Sequence, residues 1–189
     1  MSLSRRSLLR MAGAAGVATG AAVLLGGAPA AASQTGWRWC LQCEGLWFEV
    51  SYETQCPNPF YYDIGHTTAL SGNYRLKFLD DGGVGQAGWR WCYGCSGLFF
   101  SEAGTPTGIC PVDGWTVHQT LGSGNYVLEQ PGWADNPNWY QDGWRYCWLC
   151  RGLFFSPDGQ PRGYCPFKIN YGTGPHEATY SGNYCLRSA

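Results

Sequence analysis

The distribution of apolar and polar positions divides the chain in two. Near the start, small and apolar residues run from Met11 to Gly27 behind the basic stretch Ser-Arg-Arg-Ser-Leu-Leu-Arg of residues 4–10. Beyond residue 36 the apolar residues fall in short pieces separated by Gly, Pro, Asn and Asp. In Trp37-Arg38-Trp39-Cys40 they alternate, which puts Trp37 and Trp39 on one face and Arg38 on the other, the period of a strand. Gly-Leu-Phe-Phe predicts a second strand, folded back by the turn that the cysteines make. The segment around each histidine and the Asn-Tyr-x-Leu run predict a third and a fourth. Gly and Asn of Ser-Gly-Asn-Tyr suit a turn that needs positive φ. Abundant aromatic residues and glycine, with few good helix formers, point the same way, to an all-β protein of short strands.

The pattern repeats three times. Units open with GWRWCLQCEGLWF at Gly36, GWRWCYGCSGLFF at Gly88 and GWRYCWLCRGLFF at Gly143. Each continues to a Cys-Pro (Cys56, Cys110, Cys165), then one histidine (His66, His118, His176), and closes on Ser-Gly-Asn-Tyr. Repeats therefore span 36–79, 88–129 and 143–189. Three units permit two architectures: a pseudo-threefold closure of the β-trefoil kind, or a row of tandem β-modules, each stapled by its own metal because so short a unit does not hold a core alone.

Each repeat supplies Cys-x-x-Cys, a third cysteine 13 to 15 residues on, and a histidine 8 to 11 residues further. The sets are Cys40, Cys43, Cys56, His66; Cys92, Cys95, Cys110, His118; and Cys147, Cys150, Cys165, His176. Cys3His is a standard tetrahedral zinc set, and four protein ligands make a closed, structural site. A disulfide framework is the alternative for an exported chain. Three observations favour the metal. Each repeat holds an odd number of shared cysteines. The tenth, Cys185, is unmatched, with Arg75 and Val127 at its place in the other repeats. Every histidine lies seven positions before the asparagine of Ser-Gly-Asn-Tyr, a register that cysteine pairing does not explain. Arg38, Arg90 and Arg145 either offset the negative charge of such a site or lie on a solvated strand face.

Residues 1–32 read as a signal peptide: a basic start, an apolar stretch diluted by glycine, and the exits Ala28-Pro29-Ala30 and Ala30-Ala31-Ala32. Arg5-Arg6 in its setting resembles the twin-arginine export signal. That implies a protein that folds, and takes up metal, before it leaves the cytoplasm. Without Arg5, Arg6 and Arg10, nine Lys and Arg face thirteen Asp and Glu, a net charge of −4 with no basic cluster, which argues against nucleic acid. A secreted location without membrane attachment after cleavage follows.

Little suggests catalysis. With the histidines committed to metal none is left as a general base, and neither a Gly-x-Ser-x-Gly elbow nor a phosphate-binding glycine loop is present. A small secreted hydrolase is the least favoured reading. A binding role suits the aromatic excess, with glycans or cell-wall polymers as ligand; a protein-interaction or purely structural repeat, held by disulfides, is the alternative. Trp115, Trp133, Trp139 and Trp148 do not recur between repeats and are the candidate contact residues, whereas Trp37, Trp39, Trp89, Trp91 and Trp144 recur and belong to the core or to cover over the metal. The series WRWCxxCxGLFF, GxCP, His and SGNYxL resembles a repeat of exported bacterial proteins, often actinobacterial, over nearly all of the chain after residue 32. The first unit departs most. The resemblance implies export and repetition but no particular activity.

Overall fold

The computed structural model describes residues 33–49, 54–61, 63–133, 140–167 and 174–189. Residues 1–32, read above as a signal peptide, and Trp139 lie outside the described residues. The chain is all-β, with nine strands in one sheet: β1 (Ser33–Trp39), β2 (Leu46–Phe48), β3 (Tyr74–Phe78), β4 (Gln86–Trp91), β5 (Leu98–Phe100), β6 (Tyr126–Leu128), β7 (Tyr140–Tyr146), β8 (Leu153–Phe155) and β9 (Tyr184–Ser188). Each repeat gives three strands. The expected strand at the histidine is a single bridge instead, Thr107 with His118 and Arg162 with His176, because that segment is committed to presenting the imidazole.

Within a repeat, the first strand pairs antiparallel with both others. A bulge interrupts the register at Gly36, Gly88 and Gly143, whose φ values of 96, 97 and 89° favour glycine. The Ser-Gly-Asn-Tyr motif explains how the bulge is held. Asn73, Asn125 and Asn183 accept the N–H of those glycines through Oδ1, at 2.9, 2.8 and 2.8 Å. Ser71, Ser123 and Ser181 accept the N–H of Trp39, Trp91 and Tyr146 through Oγ. The expected positive φ is not in this motif. It falls one residue earlier, at Leu70, Gly122 and Tyr180. The motif's glycine serves close approach instead: a Cβ on Gly124 would stand 2.3 Å from the Phe78 ring of the preceding repeat.

The repeats close on one another in a ring. At one end the third strands meet about a pseudo-threefold axis, Lys77 opposite Val127, Glu129 opposite Cys185, and Arg75 opposite Arg187. At the other end the second strands do the same, through Trp47 with Gly97, Phe99 with Gly152, and Phe154 with Gly45. One core fills the space between, to which each repeat gives the same four residues: Trp37, Leu46, Tyr74, Leu76; Trp89, Leu98, Tyr126, Leu128; Trp144, Leu153, Tyr184, Leu186. Each core tryptophan meets a tyrosine of the next repeat edge to face, Trp37 with Tyr126, Trp89 with Tyr184 and Trp144 with Tyr74. The tyrosine hydroxyl donates to a glutamine two residues before the bulge glycine, Tyr74 to Gln141 at 2.6 Å, and likewise Tyr126 to Gln34 and Tyr184 to Gln86. A shared core and a closed ring exclude a row of separate modules.

The repeats are not interchangeable. At the axis, equivalent positions hold Lys77, Glu129 and Arg187, and the Glu129 carboxylate, 7% exposed, meets Lys77 at 3.2 Å and Arg187 at 3.0 Å. One acid between two bases fixes which repeat sits where. Glu129→Ala leaves two cations beside Arg75 with no carboxylate, and is expected to destabilise the fold by about 2–3 kcal/mol. A urea melt measures this, and an unshifted midpoint contradicts it. Cys185 lies beside this cluster, away from the other cysteines, and burial pushes its thiol up to about 11.

Candidate metal centres

Each centre begins at the turn that joins the first and second strands. Cys40 N–H donates to Gly45 O at 3.0 Å and Glu44 N–H to Cys40 O at 2.8 Å, and the other two repeats repeat both bonds. This tight turn needs a left-handed residue after the second cysteine, filled by Glu44, Ser96 and Arg151 at φ 64, 58 and 65°. It brings the two thiols of Cys-x-x-Cys to one point. The third cysteine arrives on a loop, fixed by Cys110 N–H to Thr116 O at 2.8 Å and Cys165 N–H to Gly174 O at 2.9 Å. The bridges described above deliver His118 and His176.

The twelve residues expected from the sequence come together as three sets, with the four ligand atoms of each within 4.8 Å of one another. All ten cysteines are free. Cys92 and Cys110 sulfurs are 3.9 Å apart, Cys147 and Cys165 3.8 Å. The second cysteine lies 3.6, 3.5 and 3.4 Å from Nδ1 of His66, His118 and His176. A tetrahedral ion with bonds of about 2.3 Å to sulfur and about 2.05 Å to nitrogen has edges of about 3.75 and 3.55 Å. The clusters thus have the size of a metal tetrahedron, whereas a disulfide brings its sulfurs to about 2.04 Å. Three Cys3His groups can each bind a metal ion, and the dimensions are consistent with zinc.

Electrostatics support the same conclusion. The first cysteine is held far below the usual thiol range, Cys40 by hydrogen bonds from Cys43 and Cys56 and Cys92 by those from Cys110 and Cys95. Burial pushes the second, Cys43 and Cys95, well up. The third is pushed up to about 12, Cys56 by Cys40 and Cys110 by Cys92. Three buried negative charges repel one another, so in the first two centres a cation favours ionisation of all three thiols and displaces their protons. In the third centre burial opposes a charged His176, yet Cys147 and Cys165 bring it up to about 10. Backbone amides also donate to sulfur, Gln119 to Cys92 at 3.4 Å and Glu177 to Cys147 at 3.5 Å.

Two features of these centres were missed in the sequence. The aromatic after Gly-Leu stacks on each histidine ring: Trp47 on His66 at 5.0 Å, Phe99 on His118 at 4.6 Å and Phe154 on His176 at 4.8 Å. Its recurrence at one place in every unit was the available signal. In addition, a neighbouring repeat completes a centre. Tyr164 of the third repeat packs on the first cysteine cluster and its N–H faces Cys43 O at 3.4 Å; Ile109 N–H faces Cys150 O at 3.4 Å. Gly163 and Gly108, at φ 65 and 71°, allow this approach, and Thr54 stands at the same place in the first repeat.

Two of the arginines beside the first ligand turn elsewhere. Arg38 pairs with Glu49 at 2.8 Å, and Arg145 donates to Ser156 O at 3.2 Å. Among the candidate contact residues, Trp115, Trp133 and Trp148 are 72, 52 and 48% exposed, and no ring contact joins them among the described residues. Trp37, Trp89 and Trp144 are fully buried in the core; Trp39 and Trp91 are half-buried.

No family model, no curated protein and no solved structure matches this chain.

Proposed function

We propose that the protein is an exported, non-catalytic binding module in which three structural zinc ions hold a closed β-ring, and that its ligands are glycans or cell-wall polymers. The observation that carries this reading is the set of three closed Cys3His tetrahedra. Zinc suits three thiolates and an imidazole, and four protein ligands leave no position for a reacting water. The centres use all three histidines and nine of the ten cysteines, so the residue types that most often act as base or nucleophile are committed to structure. Export is supported by the arginine pair and the apolar stretch before residue 32. The glycan reading is supported by sixteen per cent aromatic residues together with large exposed rings on the loops.

Co-sedimentation of metal-loaded protein with insoluble bacterial cell wall tests the binding role. Saturable retention, competed by solubilised wall polymer, is expected. Folded, metal-loaded protein that stays in the supernatant overturns it.

A further inference from the structure

We infer that the cleft where the third repeat meets the first binds a neutral pyranose ring; this rests on the glycan-binding reading above and assigns it a place. The cleft has a volume of about 90 Å³ and is lined by Trp39, Leu70, Tyr74, Gln141 and Phe155. No carboxylate, amine or guanidinium lines it, so it suits an uncharged ligand. The Trp39 indole is fixed in place: its N–H donates to Glu44 Oε2 at 2.8 Å, and its ring lies 6.3 Å from Phe155 at 73°. Beside it, Tyr74 donates its hydroxyl proton to Gln141 Oε1 at 2.6 Å. That bond leaves the Gln141 amide N–H groups as donors and the tyrosine oxygen as an acceptor. A rigid apolar platform next to a neutral donor and acceptor complements a sugar, whose C–H face is apolar and whose rim carries hydroxyls. Rigidity removes the ordering cost of binding.

A second observation comes from the rim. Leu70 is 85% exposed and holds φ 61°, a conformation that strains a branched side chain. The second repeat meets the same backbone need with Gly122 at φ 73°, so the fold requires the positive φ and not the leucine. An apolar side chain held in a strained and solvent-facing conformation over a cleft has its use in contact with a ligand.

The other two interfaces provide internal comparisons. The cleft between the first and second repeats pairs Trp91 with Gly122, and Ser96 stands in place of Glu44, too short to reach; Trp91 Nε1 and Ser96 Oγ both lack partners. Between the second and third, Tyr146 replaces the tryptophan and Arg151 the glutamate, although Tyr180, at φ 64° and 94% exposed, repeats the strained rim. Among the described residues the full set, pinned indole, amide–phenol pair and apolar rim, is found at the first cleft.

Titration calorimetry of the metal-loaded protein with cellohexaose, hexa-N-acetylchitohexaose and mannohexaose tests the assignment. At least one is expected to bind, with affinity reduced tenfold or more in Trp39→Ala. Leu70→Gly is expected to weaken binding several-fold while raising the melting temperature, since it relieves strain, an opposition that a merely structural leucine does not produce. Leu121→Ala, at an exposed apolar residue outside the cleft, is expected to bind as the parent does. Binding that survives both cleft variants but is lost with Trp115→Ala or Trp133→Ala overturns the cleft and keeps the glycan reading. Retention on cell wall without binding to any hexasaccharide likewise overturns the cleft alone. Absence of both overturns the two together.

Discussion

Removing the metal is expected to unfold the three repeats together, in one transition. The reason is architectural. Each repeat contributes four residues to a single core, so none has an interior of its own to fall back on. The metal centres anchor the second strands, whose contacts close the ring at that end. A structural zinc site contributes roughly 10–16 kcal/mol in small zinc-dependent folds. A whole domain has a net stability of only about 5–15 kcal/mol. Loss of one ion therefore suffices to unfold a ring that all three support. Chelator titration followed by near-ultraviolet circular dichroism, with metal release read in parallel, should give one cooperative change. Acidification should act in the same direction. Thiols such as Cys56 and Cys110 hold their protons up to about 12 in the metal-free cluster, so protons compete with the metal more strongly as pH falls. Three separate steps would indicate independent modules. An unchanged spectrum after full metal loss would show that the ions are not structural.

The second large effect is expected across a repeat boundary. In Gly163→Ala the new Cβ would stand 2.1 Å from the carbonyl oxygen of Cys43, at φ +65°. The carbonyl belongs to a ligand of the first centre, although Gly163 lies in the third repeat. Because the clash is with backbone on both sides, relief requires the two chain segments to separate. A loss of several kcal/mol is expected, with weaker metal retention at the first centre even though its four ligands are intact. Gly159→Ala is the control: φ is +71° and nothing lies within 4 Å of its Cβ, so only the backbone strain of about 1 kcal/mol applies. Thermal melts and chelator competition on the two variants check this. If Gly163→Ala behaves like Gly159→Ala, the centres are not supported across the ring.

The ligand sets were legible in the sequence because metal coordination tolerates little change in residue type. Three cysteines and a histidine at near-constant spacing, three times over, stand out from a background that varies. Strand type was legible for a similar reason, since Trp-Arg-Trp-Cys alternates and Gly-Leu-Phe-Phe is bounded by turns. Closure was not. Where the second strands meet, the bonds that join repeats run from Phe48, Phe100 and Phe155 N–H to the carbonyls of Ser96, Arg151 and Glu44, beside Gly97, Gly152 and Gly45, and a glycine that permits close approach reads in sequence as a turn. The same confusion misplaced the left-handed residue of Ser-Gly-Asn-Tyr, where Ser and Asn act through their side chains and the positive φ falls on Leu70 and Tyr180. One signal was present: Gln34, Gln86 and Gln141 recur two positions before the opening glycine, outside the repeat as delimited by sequence, and each reaches the tyrosine of another repeat. Recurrence also placed Trp39 with the core; it packs against the core, half-buried, and lines an interface cleft as well.

The central claim is that three Cys3His zinc centres hold the fold. Elemental analysis of protein purified from the cytoplasm, combined with X-ray absorption at the metal edge and thiol titration, tests it most directly. The account predicts three zinc ions per chain, each with three sulfur neighbours and one nitrogen, and a single cysteine, Cys185, outside the centres. A folded protein without metal, with its thiols oxidised in pairs, would contradict it.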